Sequence, residues 1–505
     1  MHVRISILIA SLMALFLGSA NASPLRYAED RAPGIIHPVF ATTMSEARIN
    51  ELIFEGLFAD NLELMSTPKL ATDFTLSDDR LSMIIRLKAG VKWHDDTDFT
   101  AEDVVFSIQA YKRPATRSPE AGRVKWIAEA KAIDSLSVEL KFVAEEYVPE
   151  DKLHFKIIPK HRFKSADLKR TGPFRNQPIG TGPFKVIGFN PDNSVSLAKF
   201  QSYHGHTKLD EVIMREVSDP NYQSKLLIYQ SLETIVRVLP KDIAMLQNSR
   251  DVDLYPYQTN SWWYLGFNLR KRSLSDDLVR EAVHLLVDVE HLLAPIGTGE
   301  ILSGPFVKAS PFYNHQVRPR LHNPKRAASL LEDAGYIHDG KRWTKNGKPL
   351  VFKIATLKDL PTAQDVVINI QSQLMKSGIT LEPTFMTVPE WKRNVWQARE
   401  FDLILSQWSF DRNENIYEQF HSKGTRNFTS YANSDVDNWL EAARKTGDPK
   451  EKKSLYRQAH AQIHKDNPMV FLWTLDSYAA LSSDVSNVVI HPFYFFTWAD
   501  DWQLP

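Results

Sequence analysis

The chain has 505 residues, 61 Lys and Arg set against 61 Asp and Glu, and no cysteine. Zero net charge without long single-sign runs leaves no electrostatic footprint for nucleic acid or an anionic membrane, and the missing thiols exclude disulfides, thiolate catalysis and cysteine-held metals. The length predicts two or three domains, and 12 Trp, 16 Tyr and 27 Phe can line a sizeable pocket as well as fill cores.

At the start, Met1-His2-Val3-Arg4 is a short basic lead to the apolar run ISILIASLMALFLG, followed by Ala20-Asn21-Ala22. This predicts a secretory signal cleaved after Ala22; the apolar run is too short to span a membrane. With no cysteine at the cleavage site, the exported chain is expected to carry no lipid anchor. A turn around His37-Pro38 precedes a helix expected over roughly 44–58. In the strand-rich stretch 61–177, Met83, Ile85 and Leu87 share one face. There VKWHDDTDFTAEDVVFSIQAYK, residues 91–112, reads as strand, acidic turn and capped helix. Thr100 stands at the N-cap, Glu102 and Asp103 meet the positive end of the helix dipole, and Val104, Val105, Ile108 and Tyr111 form the apolar stripe. His94 beside the turn carboxylates Asp95 and Asp96 lacks ligands from other directions, so scaffold is expected there rather than metal.

Further along, a hairpin is predicted over 186–199 around Asn190-Pro191-Asp192-Asn193, and an amphipathic helix over 276–293. Asn323 as cap, Pro324 at the first helical position and Gly335 as stop bound another helix. A strand over 350–356, a helix over 365–377 and a strand over 380–386 make a strand–helix–strand unit. Asp448 and Glu451 read as a capping box for a helix reaching about Lys465. The alternation of strands and helices points to a mixed α/β fold.

Catalytic signatures are absent: no G-x-S-x-G, H-E-x-x-H or phosphate loop occurs. Gly180-Thr181-Gly182 runs into Pro183, which cannot extend a row of amides. His460 and His464 are spaced to share a metal, but no carboxylate lies between them and an exposed helix face is expected. His204-Gly205-His206 reads as a turn, and Asn427-Phe428-Thr429 fits a glycosylation sequon.

The stretch V-K-W-H-D-D-x-x-F-T-A-E-D-V-V-F-S resembles the signature of family 5 extracellular solute-binding proteins, the peptide and nickel receptors of ATP-binding-cassette importers. Leu52-Ile-Phe-Glu-Gly-Leu57, Gly180-Thr-Gly-Pro-Phe184, Tyr264-Leu-Gly-Phe-Asn268, Val279-Arg-Glu-Ala282 with Asp288, and the helix running from Asn323 to Ala334-Gly335-Tyr336 are similar to further family motifs in order. Two departures stand out. Asp96 occupies a usual glycine position, and the family's G-E-x-D is lost around Ser231–Ile235, which is read as loop drift.

The resemblance implies an α/β, two-lobed periplasmic binding protein (type II, cluster C-like) with an extra domain on the first lobe. Lobe I would comprise 23–60, 178–270 and 481–505, the extra domain 61–177 and lobe II 271–480, with crossings near Asn268 and Leu481. It also implies a ligand enclosed between the lobes, hinge closure, and delivery to permease subunits in the inner membrane by a monomer without cofactor or resident metal. Peptide-binding members carry W-x-x-D where this chain has Trp408 and Asp411; the Asp pairs with the ligand α-ammonium, with Phe410 and Arg412 beside it. Arg412 could compete for Asp411 or meet a ligand carboxylate, and Asp411 could instead only cap its loop. A nickel chelate, an oligosaccharide or an opine are alternative ligands for the same fold. An exported hydrolase is the alternative from another class.

Overall fold

The computed structural model describes residues 23–258, 261–360, 362–410 and 414–505. The predicted signal segment, 1–22, lies outside the described residues. Two compact units divide the chain: one runs to Tyr257 and resumes over Tyr478–Pro505, and the other is Gln258–Ser477.

In the first unit, the buried strand Leu25–Glu29 pairs in parallel with Glu211–Glu216 on one side and with Thr234–Ile235 on the other. The sheet continues through Val195–Lys199 to Phe184–Phe189, and at its other edge through Trp473–Ser482 to Val252–Gln258. The predicted hairpin is the antiparallel pair Phe184–Phe189 and Val195–Lys199. Residues Ser231–Ile235 are not a drifting loop. Thr234 and Ile235 pair with Tyr27 and Ala28 and with Leu481 and Ala480, while Glu233 accepts the Arg26 amide at 2.7 Å. Pairing on both sides overrides what the local sequence suggests.

A second, four-stranded antiparallel sheet holds Ala71–Leu76, Ser82–Leu87, Ser137–Phe142 and Ile127–Asp134, with the helix Ala101–Lys112 against it. Met83, Ile85 and Leu87 are buried while Ile84 is exposed, as the alternation requires. Asp96 takes φ +62°, the left-handed turn geometry that a glycine would otherwise supply.

The helix predicted over 44–58 is shorter, Met44–Ile53, with the capping box Thr43/Glu46 at its start. Its end has a packing cause. The Ile53 carbonyl accepts the Gly182 amide at 2.9 Å, and a Cβ on Gly180 would lie 1.9 Å from Ile53 O. Gly180-Thr-Gly182 is therefore a close approach of two backbones, not a phosphate cradle.

The second unit is built on a mixed sheet in the order Thr380–Met386, Val351–Leu357, Leu403–Ser409, Ser261–Phe267, Met469–Phe471. The first two strands are parallel and joined by the helix Ala363–Lys376, the predicted strand–helix–strand unit. The predicted helix 276–293 is two helices, Asp277–Leu286 and Val289–Leu293, because Val287 turns extended and Asp288 caps the second by accepting the His291 amide at 3.0 Å. Asn323 caps Pro324–Asp333 as predicted, accepting the Arg326 amide at 3.0 Å. Asp448 caps Pro449–Asp466 through the Lys450 amide at 2.9 Å, but Glu451 turns to the Thr446 hydroxyl, so no reciprocal box forms.

Gly180→Ala should lower stability by about 1–3 kcal/mol or more, since the new methyl meets the backbone at the helix end. Thermal denaturation beside Gly122→Ala, whose Cβ would meet nothing within 4 Å, checks that packing rather than propensity is responsible.

Candidate functional site

The acidic stretch that drew attention in the sequence is scaffold. Asp103 is buried and accepts four donors: the Thr100 amide at 2.9 Å, the Thr100 hydroxyl at 3.4 Å, the Lys160 amide at 2.7 Å and the Trp93 indole at 3.3 Å. His94 is spent on the glycine junction. Its Nδ1 accepts the Gly180 amide at 3.2 Å and its Nε2 donates to the Gly182 carbonyl at 2.9 Å. Burial lowers its pKa to about 4, so it stays neutral.

Within the first unit lies a cavity of ≈ 310 Å³, lined by Glu51, Glu55, Lys69, Arg123, Lys156 and Asp500 among others. Its charges are paired. Lys156 meets Glu51 at 2.8 Å, where Thr497 also donates at 3.1 Å; Arg123 meets Glu120. Lys69 is shared by Asp500 at 3.4 Å and Glu55 at 3.6 Å. Glu55 also accepts the Tyr203 hydroxyl at 2.9 Å and His204 Nε2 at 2.7 Å. Burial pushes the Glu55 carboxyl up, but His204 and Lys69 outweigh it and hold it at about 2. Asp500 is pushed up by burial against the pull of Lys69. His204 is thus hydrogen-bonded to a buried carboxylate rather than a bare turn residue. This wall of alternating charge suits a polar or zwitterionic solute.

In the second unit, the strand Leu403–Ser409 positions Trp408, half-buried, between two rings. Tyr264 lies parallel to it at 6.0 Å between centroids and Phe428 at 5.7 Å, with interplanar angles of 4° and 6°. Trp396 meets Phe428 edge-on at 5.8 Å, and Phe410 stacks on Trp262 at 6.0 Å. Trp408 and Phe410 are thus joined only through the buried rings of Tyr264 and Trp262, which meet edge-on at 5.5 Å. Asp411 and Arg412 lie outside the described residues. Composition flagged an aromatic surplus; the ladder itself was not legible, because Tyr264, Phe428 and Trp396 come from three separate segments.

One expectation is corrected. His460 is fully buried, not on an exposed face: its Nδ1 accepts the Asn314 amide at 3.2 Å, so Nε2 carries the proton and donates to Ser303 at 3.0 Å. An imidazole so engaged can neither bind metal nor take a proton from Ser303. Among the described residues, no group of three His, Asp or Glu side chains is placed to hold a metal. Asn427 of the sequon is buried and its amide donates to the His421 and Tyr431 carbonyls at 3.1 and 2.7 Å, so the folded chain does not offer it for modification. No helix among the described residues is long and apolar enough to cross a membrane.

Residues 66–428 match the model of the bacterial extracellular solute-binding proteins, family 5 Middle. The oligopeptide-binding protein AppA of Bacillus subtilis is 24% identical over 482 residues, covering 91% of this chain and 88% of that one. The glutathione-binding protein GsiB of Escherichia coli K12 is 25% identical over 479 residues, covering 91% and 90%. Among solved structures, HbpA2 from Haemophilus parasuis shares the fold at a TM-score of 0.86 with 19% identity, over 96% of this chain and 100% of that one.

The buried imidazoles of the second unit set a pH dependence. Burial lowers His284 and His460 to about 3 from an ordinary 6.5. Between those values the unfolded chain holds protons that the folded chain refuses, so stability is full above pH 6.5 and falls as pH drops below it. Each imidazole should cost up to about 2 kcal/mol at pH 5. Urea denaturation at pH 7 and pH 5 should show the loss, and His460→Gln should shrink it.

Proposed function

Because the chain belongs to the bacterial extracellular solute-binding proteins, family 5, we propose that it is the periplasmic receptor of an ABC importer for peptides. In this reading it is exported with cleavage after Ala22, works as a monomer without lipid anchor, and hands its ligand to permease subunits of the inner membrane. It binds and does not turn over its ligand. Trp408 and Phe410 supply an apolar surface for the peptide backbone, Asp411 receives the α-ammonium group, and Arg412 stands beside it.

The observation that supports this most is the aromatic row around Trp408, on the strand that runs directly into Asp411. A buried ammonium needs a carboxylate partner to offset its desolvation. The relatives agree in kind: AppA is named for oligopeptides and GsiB for glutathione, itself a tripeptide with a free amine. A chelated metal is the second reading, since it needs few direct side-chain ligands.

Asp411→Asn keeps size and removes charge, and truncating an enclosed charge pair costs about 2–5 kcal/mol. Calorimetry should show affinity for free-amine peptides falling more than about tenfold, with N-acetylated peptides changing far less. Equal affinity in both proteins would make Asp411 a loop cap and move the ligand towards sugars, opines or chelates. Mass spectrometry of the same mixtures should recover the peptides uncleaved.

A further inference from the structure

The charges of the chain balance in sum, but the fold does not spread them evenly. From Lys160 to Arg175 the sequence KHRFKSADLKRTGPFR holds one carboxylate, Asp167, among six Lys and Arg. The stretch forms short 3-10 turns at Lys160–Arg162 and Pro173–Asn176, and apolar burial holds it down. The Phe163 and Phe174 rings lie 4.9 Å apart, Phe174 meets His37 at 5.0 Å, and Ala166 and Leu168 are buried. With its apolar residues turned in, the stretch leaves Lys164, Lys169, Arg170 and Arg175 exposed.

A second segment adds to this face. The Thr116 hydroxyl donates to the Ala166 carbonyl at 3.0 Å and accepts the Leu168 amide at 3.1 Å. That clasp brings the exposed Arg113 and Arg117 beside the stretch, where Arg113 meets Asp167 at 3.7 Å. Arg170 is paired too, with Glu46 at 3.4 Å. Arg117, Lys164, Lys169 and Arg175 make no ion pair among the described residues. At the border charge is matched again: Lys160 meets Glu102 at 2.8 Å and His161 meets Asp95 at 2.9 Å.

Neither segment exposes a large apolar side chain, and this selects the partner. A protein partner is gripped through apolar and aromatic anchors that lose their water at the centre of the interface. A layer of anionic headgroups needs only cations held near it, each adding roughly fivefold to partitioning.

We propose that this face of the first unit docks on an anionic phospholipid surface, with Arg117, Lys164, Lys169 and Arg175 against the headgroup phosphates. Zero net charge conceals the face, because its cations come from two segments joined by the Thr116 clasp. The inference goes beyond the receptor reading and does not depend on the ligand. For a receptor that serves a membrane permease, such docking confines the search to the membrane plane. The contact is made by surface charge, so it is reversible and sensitive to salt.

Co-sedimentation of the full chain tests it, with vesicles of phosphatidylglycerol and phosphatidylcholine in equal parts and with phosphatidylcholine alone. At about 0.05 M sodium chloride the mixed vesicles should take up the parent at least about tenfold more strongly, and about 0.5 M should abolish the excess. The face variant Lys164→Gln/Lys169→Gln/Arg175→Gln removes three contributions of roughly fivefold each and should lose the excess. The control Lys445→Gln/Lys450→Gln/Lys453→Gln removes as many exposed, unpaired charges from the second unit and should bind like the parent. All three proteins share residues 1–22, so their differences report the face, and both variants should melt with the parent. Equal uptake by the two kinds of vesicle sinks the proposal, as does an excess that the face variant keeps or the control loses. Retention on polyglutamate without uptake by vesicles assigns the face to an acidic protein and overturns the membrane partner. Peptide calorimetry is untouched by any of these outcomes, so the receptor reading is judged separately.

Discussion

The strand Ser261–Phe267 is buried along its whole length, and both its edges are hydrogen-bonded, to Leu403–Ser409 and to Met469–Phe471. Two hydrophobic cores depend on it. Trp263, Leu265 and Phe267 point into one and Trp262 and Tyr264 into the other, as strand alternation demands. Its register against Leu403–Ser409 opposes Trp262 to Trp408 and Tyr264 to Ser406, which is what brings the Tyr264 ring alongside Trp408. A slip by one residue would exchange the two cores and dismantle the aromatic row. The candidate ligand surface of this unit is thus a by-product of how its central strand is packed.

Charge is handled in opposite ways across the chain. In the cavity of the first unit Lys69, Arg123 and Lys156 each have a carboxylate within reach, and the buried carboxyl Glu55 is held ionised by His204 and Lys69 together. His284 and His460, buried in the second unit, are instead kept neutral: the His284 ring meets Asn467 at 2.7 Å, and His460 is fixed between Asn314 and Ser303. Removing one partner from such a pair is expensive because the other is left uncompensated. Arg399, half-buried at φ +57°, lies over the Phe428 ring instead of meeting a carboxylate.

Much of the local structure was legible because it is written in neighbours. The Thr100 helix start, the Asn323-Pro324 cap, the hairpin around Asn190–Asn193 and the turn at Asp96 all follow from residues within a few positions of one another. The readings that failed depend on distant partners. Thr234–Ile235 became a strand because Tyr27–Ala28 and Ala480–Leu481 flank it, and His460 became buried because Ser303 and Asn314 come from another segment.

The same divide runs through the site. By itself the sequence determined the mixed α/β class, the ordered motifs of the family, and Trp408 as a residue to watch, since each rests on spacing along one segment. Only the tertiary structure decided that Trp408 lies between Tyr264 and Phe428, that Glu55, Lys69 and Asp500 line one cavity, and that Arg399 has no anionic partner among the described residues. The physical reason is that stacking, charge pairing and the lack of it are properties of side chains separated by tens to hundreds of residues. Local propensity places each on a helix, strand or turn, but sheet register and core packing choose what it faces.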